Sequence, residues 1–176
     1  MDISRIRALR GPNLWSRHTA MEAILACTEA ERALTTLPGF ETRLRSLFPG
    51  LGAFRKAQDQ ASLAHVLEAA TLALQTQAGC PVTFSRTTQT VEAGTYQVVV
   101  EYSEEDVGRK ALKAAVRLVE AALAPDGQFD AAATVAELRE LDEDIRLGPS
   151  TGAIVNAAVA RGIPFRRLTS GSLVQF

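Results

Sequence analysis

Two long amphipathic stretches dominate the pattern of hydrophobic and polar positions, and each predicts a helix that buries one face. The first covers residues 62–78, where four apolar side chains fall within about 60° of one another at helical pitch: Leu63, Leu67, Ala70 and Leu74. Ser62 is a suitable N-cap for this helix, and Gly79 followed by Pro81 is typical of a helix end.

The second stretch covers residues 104–123 and has its apolar positions on one side: Val107, Ala111, Ala115, Leu118 and Ala122. Its first turn is acidic, which complements the positive end of the helix dipole.

Further helices are predicted over residues 39–48, 130–147 and 150–161. The helix over residues 130–147 is rich in acidic side chains, which form a solvated face or meet the arginines of a partner.

Short β-branched and aromatic runs predict the strands. Residues 3–9 alternate loosely, residues 82–84 and 96–102 predict a hairpin with a long connection, and residues 163–168 predict a final short strand. Residues 21–27 fit a helix or a strand by pattern, and their short length favours a strand. The order of these elements predicts an α+β fold, with an antiparallel sheet and helices packed mainly on one face.

Composition fits one ordinary globular domain and argues against a nucleic-acid-binding protein. The chain has 176 residues, of which 47% are hydrophobic and 22% are charged, and its formal net charge is -1. Nonspecific nucleic-acid binding needs a dense positive surface, which this balance does not supply. Arginine accounts for 16 of the 19 basic residues. That bias suits two-point binding of carboxylates, or it reflects the codons of a GC-rich genome.

The cysteines and the hydropathy indicate the compartment. Cys27 and Cys80 lie far apart without the spacing of a metal site, so we expect two buried, reduced thiols. No apolar run approaches the roughly 20 residues that span a bilayer, and the first residues carry no hydrophobic signal core. The sequence therefore predicts a cytoplasmic protein with no membrane partner.

Several segments carry distinctive motifs, which are LRGPNLW at residues 9–15, LAHVLE to AG at residues 63–79, and VVVEYSEEDVG at residues 98–108. In this order they resemble the RGPNxW, LxHVxEHxALELQxLAG and VxxEYxEExVG motifs of the amino-terminal domain of cyanophycin synthetases. Residues 148–175, with GPST, AAVARGIP and SLVQ, are similar to the segment that leads into the ATP-grasp domain of these enzymes. The resemblance covers essentially the whole chain and also favours a strand over residues 21–27.

The resemblance implies a function for the parent enzyme and a narrower one for this chain. Full synthetases join this domain to an ATP-grasp domain and a Mur-ligase-like domain, and use ATP and Mg²⁺ to add aspartate and then arginine to the polymer. No GxxxxGK[ST] loop is present, and the chain stops before an ATP-grasp core. We therefore expect a non-ligating, cofactor-free domain over residues 1–147, with residues 148–176 leading into a missing ATP-grasp domain.

This domain is expected to bind the Asp–Arg polymer and to pack against the ATP-grasp and Mur-ligase-like domains. The full-length enzyme is expected to form a homo-oligomer. A free-standing paralogue that regulates a synthetase is the alternative to a truncated chain. Candidate polymer contacts are Arg10, Asn13 and Trp15 in the opening motif, together with Arg166 and Arg167. Equally, the opening motif sets a turn over a packed tryptophan, and the adjacent arginines form a solvated pair.

A second resemblance concerns catalysis. Some domains of this family resemble metallopeptidases whose HxxEH helix presents two histidines, one turn apart, to zinc and a glutamate to the zinc-bound water. Here the motif has His65 and Glu68, but Ala69 replaces the second histidine and cannot bind metal. We expect no zinc, and His65 and Glu68 remain vestigial candidates for a divergent metal-dependent cyanophycin hydrolase. The further ligands open to such a site are Glu101, Glu104, Glu105, His18 and Cys27.

Overall fold

The computed structural model describes residues 1–52, 61–169 and 171–176, and its elements alternate between a strand layer and a helix layer. The strands are β1 (Asp2–Leu9), β2 (Ala20–Ala26), β3 (Ser85–Gln89), β4 (Thr95–Glu101), β5 (Arg166–Arg167) and β6 (Val174–Gln175). The helices are α1 (Phe40–Leu47), α2 (Leu63–Ala78), α3 (Glu105–Leu123), α4 (Ala131–Ile145) and α5 (Pro149–Val159).

The main sheet is antiparallel throughout, in the order β1-β2-β4-β3. Strands β1 and β2 form one pair, β3 and β4 form a hairpin, and β2 joins the two pairs by its register with β4. A separate two-stranded sheet contains β5 and β6. This architecture confirms the predicted α+β class.

Helices α2 and α3 cover one face of the main sheet and form the core with it. Alternate strand residues point into this core, among them Met21, Ala23, Leu25, Val98 and Val100. The predicted stripe on α2 is completely buried, as is the predicted stripe on α3. Amphipathic periodicity therefore identified the buried face of both helices.

The helix ends follow the local chemistry of the sequence. Ser62 is the N-cap of α2, and Gly79 ends it in the left-handed conformation at φ 99°, which favours glycine. Asp130 caps α4 by accepting a hydrogen bond from the backbone N–H of Ala133 at 2.8 Å. Among the residues that the model describes, no helix is both long enough and apolar enough to cross a membrane.

Two strand predictions were displaced. Residues 82–84 are not a strand, because the Glu101 side chain accepts hydrogen bonds from the backbone N–H groups of Thr83 and Phe84, and the strand begins only at Ser85. The predicted strand over residues 163–168 is restricted to Arg166–Arg167. The short 3₁₀ turns at residues 29–36 and the strand β6 were not predicted.

Candidate functional site

An open cleft lies beside α2, and the motif residues line it. The face that carries His65, Glu68, Ala69 and Leu72 forms one wall, and Ser85 of β3 also lines the cleft. This is the helix face that lies opposite the core stripe at helical pitch. The motif face of α2 therefore lines a cleft.

His65 is engaged with the backbone of its own helix. Its Nδ1 accepts a hydrogen bond from the backbone N–H of Ser62 at 3.2 Å, and the Ser62 Oγ lies 2.8 Å from the same nitrogen. A histidine at this position therefore takes the part that Glu or Gln plays in a capping box. Burial lowers the pKa of His65 below its ordinary value, and the charge of Glu68 opposes this shift only partly.

Glu68 is nearly buried, with an exposed fraction of 6%. Its Oε1 accepts a hydrogen bond of 2.7 Å from the Ser85 hydroxyl on the neighbouring strand. The contact ties α2 to the sheet at the wall of the cleft. Sequence reasoning missed Ser85 because its position opposite Glu68 depends on how the helix packs on β3.

The donor set around the cleft does not fit zinc of the HxxEH type. Ala69 supplies no ligand at the second histidine position. Ligation through the His65 Nε2 would place the proton on Nδ1, where it conflicts with the hydrogen bond from the Ser62 N–H. Within the described residues, no three His, Cys, Asp or Glu side chains are grouped as a metal site.

The other candidate ligands have partners elsewhere. Glu101 pairs with His18 at 3.2 Å, while Glu104 pairs with Arg167 at 3.1 Å. Glu105 binds Arg10 and Arg109. Cys27 is buried, and burial together with the nearby charge of Glu31 raises the pKa of its thiol to about 11. These residues are therefore not brought together at His65. 

The opening motif forms a turn that Asn13 organises. The Asn13 Oδ1 accepts hydrogen bonds from the backbone N–H groups of Trp15 and Ser16 at 2.9 and 3.0 Å. Its Nδ2 donates to the carbonyls of Gly11 and His18. Trp15 is half-buried. Asn13 therefore has a structural role as the centre of this turn, independent of any contact with polymer.

Arg10 reaches from that turn to the first turn of α3. Its Nε lies 2.6 Å from one oxygen of Glu105, and a second guanidinium nitrogen lies 3.2 Å from the other oxygen. The Arg10 hydrogen bond, ahead of the opposing effect of burial, holds the pKa of Glu105 below its ordinary value, and Arg109 adds to this. The two-point pair leaves the Arg10 side chain largely exposed.

The two adjacent arginines near the end have different surroundings. Arg166 is exposed, whereas Arg167 lies against Glu104 and also donates to the carbonyls of Ile145 and Gly171. Arg167 thus fastens strand β5 to the start of α3 and the end of α4. It is not half of a solvated pair.

One charged cluster on the sheet was missed by sequence reasoning. The Glu22 carboxylate has no exposed side-chain surface and accepts hydrogen bonds from Arg7 and Gln97, with Arg5 at 3.3 Å. Burial acts to raise the pKa of Glu22, but the hydrogen bonds from Arg7 and Gln97 outweigh it and leave the pKa low. The available signal was a lone acidic residue within an otherwise apolar strand.

Comparison with known proteins places these features in a family. Residues 23–124 match the family model described as the cyanophycin synthase-like N-terminal domain. Cyanophycin synthetases from Trichormus variabilis and Geminocystis herdmanii are 38% and 35% identical to the chain, over 99% of its length. The chain spans about a fifth of the length of these curated relatives, 21% and 22% respectively.

Proposed function

The chain belongs to the family of cyanophycin synthase-like N-terminal domains, and we propose that it serves as the non-ligating domain of a cytoplasmic cyanophycin synthetase. In this proposal it holds the growing Asp–Arg polymer and packs against the ATP-grasp domain. The ligation, with its ATP and Mg²⁺, belongs to the other domains of the parent enzyme. Family membership supports the polymer as ligand, because the similar proteins are named for it.

Of the two candidate roles, holding polymer and hydrolysing it, the use of His65 argues against hydrolysis. A zinc peptidase of the HxxEH type needs an imidazole free to bind metal and a second imidazole one turn later. His65 caps its own helix, and Ala69 takes the second position. We therefore propose that the cleft performs no zinc-dependent cleavage.

Packing on a neighbouring domain is supported by where apolar surface is left uncovered. Seven of the nine large hydrophobic residues that are exposed lie in the last part of the described chain: Ile154, Val159, Ile163, Phe165, Leu168, Leu173 and Phe176. Concentrated apolar exposure is typical of a surface that meets another protein. We assign this surface to the ATP-grasp domain, since the similar segment of the family leads into it.

The polymer-holding role is tested by titrating the chain with β-Asp-Arg oligomers of several units. We expect saturable binding and no ATP hydrolysis. An absence of binding at millimolar oligomer would contradict the role and leave domain packing as the function.

Hydrolysis is the second candidate, because His65 and Glu68 do line one cleft. Incubation of the chain with cyanophycin and zinc should leave the polymer length unchanged. Shortening that is abolished by a chelator and by His65→Ala would establish the hydrolase instead.

A further inference from the structure

The sheet face opposite α2 and α3 carries most of the charge of the strands. The register sets two rows of residues across this open face: Arg7, Glu22, Val99 and Arg86 in one, and Arg5, Ile24, Gln97 and Thr88 in the other. Contacts on the other side fix the direction of β3, since Ser85 and Thr87 bond to residues of α2. Arg86, between them, therefore points to the open face.

The charges on this face are unequally matched. Arg7 makes a two-point pair with Glu22, and Gln97 completes the coordination of that carboxylate. Arg5 reaches Glu22 through one nitrogen only, at 3.3 Å, and its side chain is 54% exposed. Arg86 is exposed and makes no ion pair with any residue that the model describes. His18 and Glu101 pair with each other where β4 ends.

Arg5 and Arg86 are thus the least engaged guanidinium groups of these two rows, one on each outer strand. Arg5 lies on β1 and Arg86 on β3, which are three strand spacings apart, or about 14 Å between backbones. A single carboxylate cannot bridge this distance. A chain that repeats its carboxylates can bind both guanidinium groups at once, and the second contact gains from the first by effective concentration.

We propose that the open face is the docking surface for the carboxylates of the Asp–Arg polymer, and that the guanidinium groups of Arg5 and Arg86 bind them. The assignment rests on the proposed polymer-holding function. An arginine joined through its α-amine to an aspartate β-carboxyl keeps its own α-carboxylate, so every unit of the polymer presents one. A guanidinium binds such a group through two parallel hydrogen bonds. Glu22, on the inner strand β2, holds the guanidinium group of Arg7 from the neighbouring strand β1.

The test compares oligomer affinity for wild type, Arg5→Gln, Arg86→Gln and the double variant. Arg117→Gln is the matched control, since Arg117 is exposed on α3, away from the sheet face. We expect binding at least about fivefold weaker for each single variant, because losing either contact also removes the gain in effective concentration. The double variant, which has neither contact, should bind at least about twenty-fivefold more weakly than wild type. The control should bind as wild type does.

A second probe needs no variant and so does not depend on how the variants fold. Oligomers whose arginine α-carboxylates are converted to amides should lose most of their affinity for wild type, and the double variant should weaken them no further. If wild type binds and the double variant binds equally well, the docking surface is elsewhere and the polymer-holding function stands. If amidated oligomers bind as tightly, or single-stranded DNA competes equally, carboxylate recognition is wrong. If wild type binds no oligomer, the proposed function itself fails.

Discussion

The His65 Nδ1 accepts a hydrogen bond from the backbone N–H of Ser62, three residues earlier in the chain, with 3.2 Å between the two nitrogens. The histidine that a zinc peptidase would use as a ligand therefore hydrogen-bonds to the backbone at the start of its own helix. This hydrogen bond gives His65 a structural role that does not need a second histidine at position 69. It also makes the role of His65 measurable as stability instead of activity.

Replacing His65 should therefore separate a helix cap from a metal ligand. We expect His65→Ala to lower the free energy of unfolding by about 1 kcal/mol, since one capping interaction is lost. His65→Gln should stay near wild type, because Gln at this position closes a capping box. Urea unfolding measures both. Equal losses for Ala and Gln would contradict the capping role.

Stability should also fall on mild acidification because of the same residue. The folded-state pKa of His65 lies below its ordinary value of 6.5, so the unfolded chain takes up the proton first as the pH falls. The contribution of neutral His65 is present above pH 6.5 and is lost as the pH drops through its lower folded value. Thermal unfolding from pH 7.5 to 5 should show this loss in wild type. In His65→Gln that part of the slope should be absent, and an unchanged slope would count against the assignment.

The buried carboxylate of Glu22 is expected to stabilise the fold at neutral pH. Glu22→Gln keeps the shape but removes the charge that Arg7 and Arg5 meet, and we expect a loss of about 1–2 kcal/mol. Because the folded pKa is lowered, this contribution should disappear as the pH falls below the ordinary value of 4.5. Denaturant unfolding at pH 7 and pH 3.5 tests both statements. Glu120→Gln, an exposed residue on α3, is the control and should change neither.

The adjacent arginines near the end supply a matched pair of variants. Arg167→Ala removes the partner of half-buried Glu104 and should cost about 1–3 kcal/mol locally, whereas Arg166→Ala should have little effect. Hydrogen exchange should show faster opening of residues 148–168 in Arg167→Ala only. If both variants exchange alike, Arg167 does not fasten this segment.

The glycine of the EYxEExVG motif is explained by a close approach. A Cβ at Gly108 would lie 2.5 Å from the Cβ of Tyr102, so Gly108→Ala should destabilise the domain by about 1–3 kcal/mol despite the better helix propensity of alanine. Gly152→Ala in α5 is the control. Its nearest neighbour would be at 3.6 Å, so the change should be neutral or slightly stabilising. Thermal unfolding compares the two, and a Gly108→Ala protein as stable as wild type would rule out the contact.

Local chemistry allowed much of the secondary structure to be predicted. The boundaries of α2 follow from Ser62 and Gly79, because capping depends on residues within one turn. The first strand of the hairpin was misplaced because its start depends on the Glu101 carboxylate. This carboxylate accepts hydrogen bonds from the backbone N–H groups of Thr83 and Phe84, which lie 18 and 17 residues earlier in the chain. Pattern analysis has no access to such a contact.

What the sequence determined by itself was the class of fold, the buried faces of the long helices and the loss of the second zinc-site histidine. All three depend on residue type and short-range spacing. The tertiary structure alone decided the partners of His65, Glu22 and Arg167. It also decided that Arg5 and Arg86 lie on the same face of the sheet. Strand register and the packing of helices on the sheet bring together side chains that are distant in sequence, and hydrophobic periodicity does not encode which polar groups will then meet.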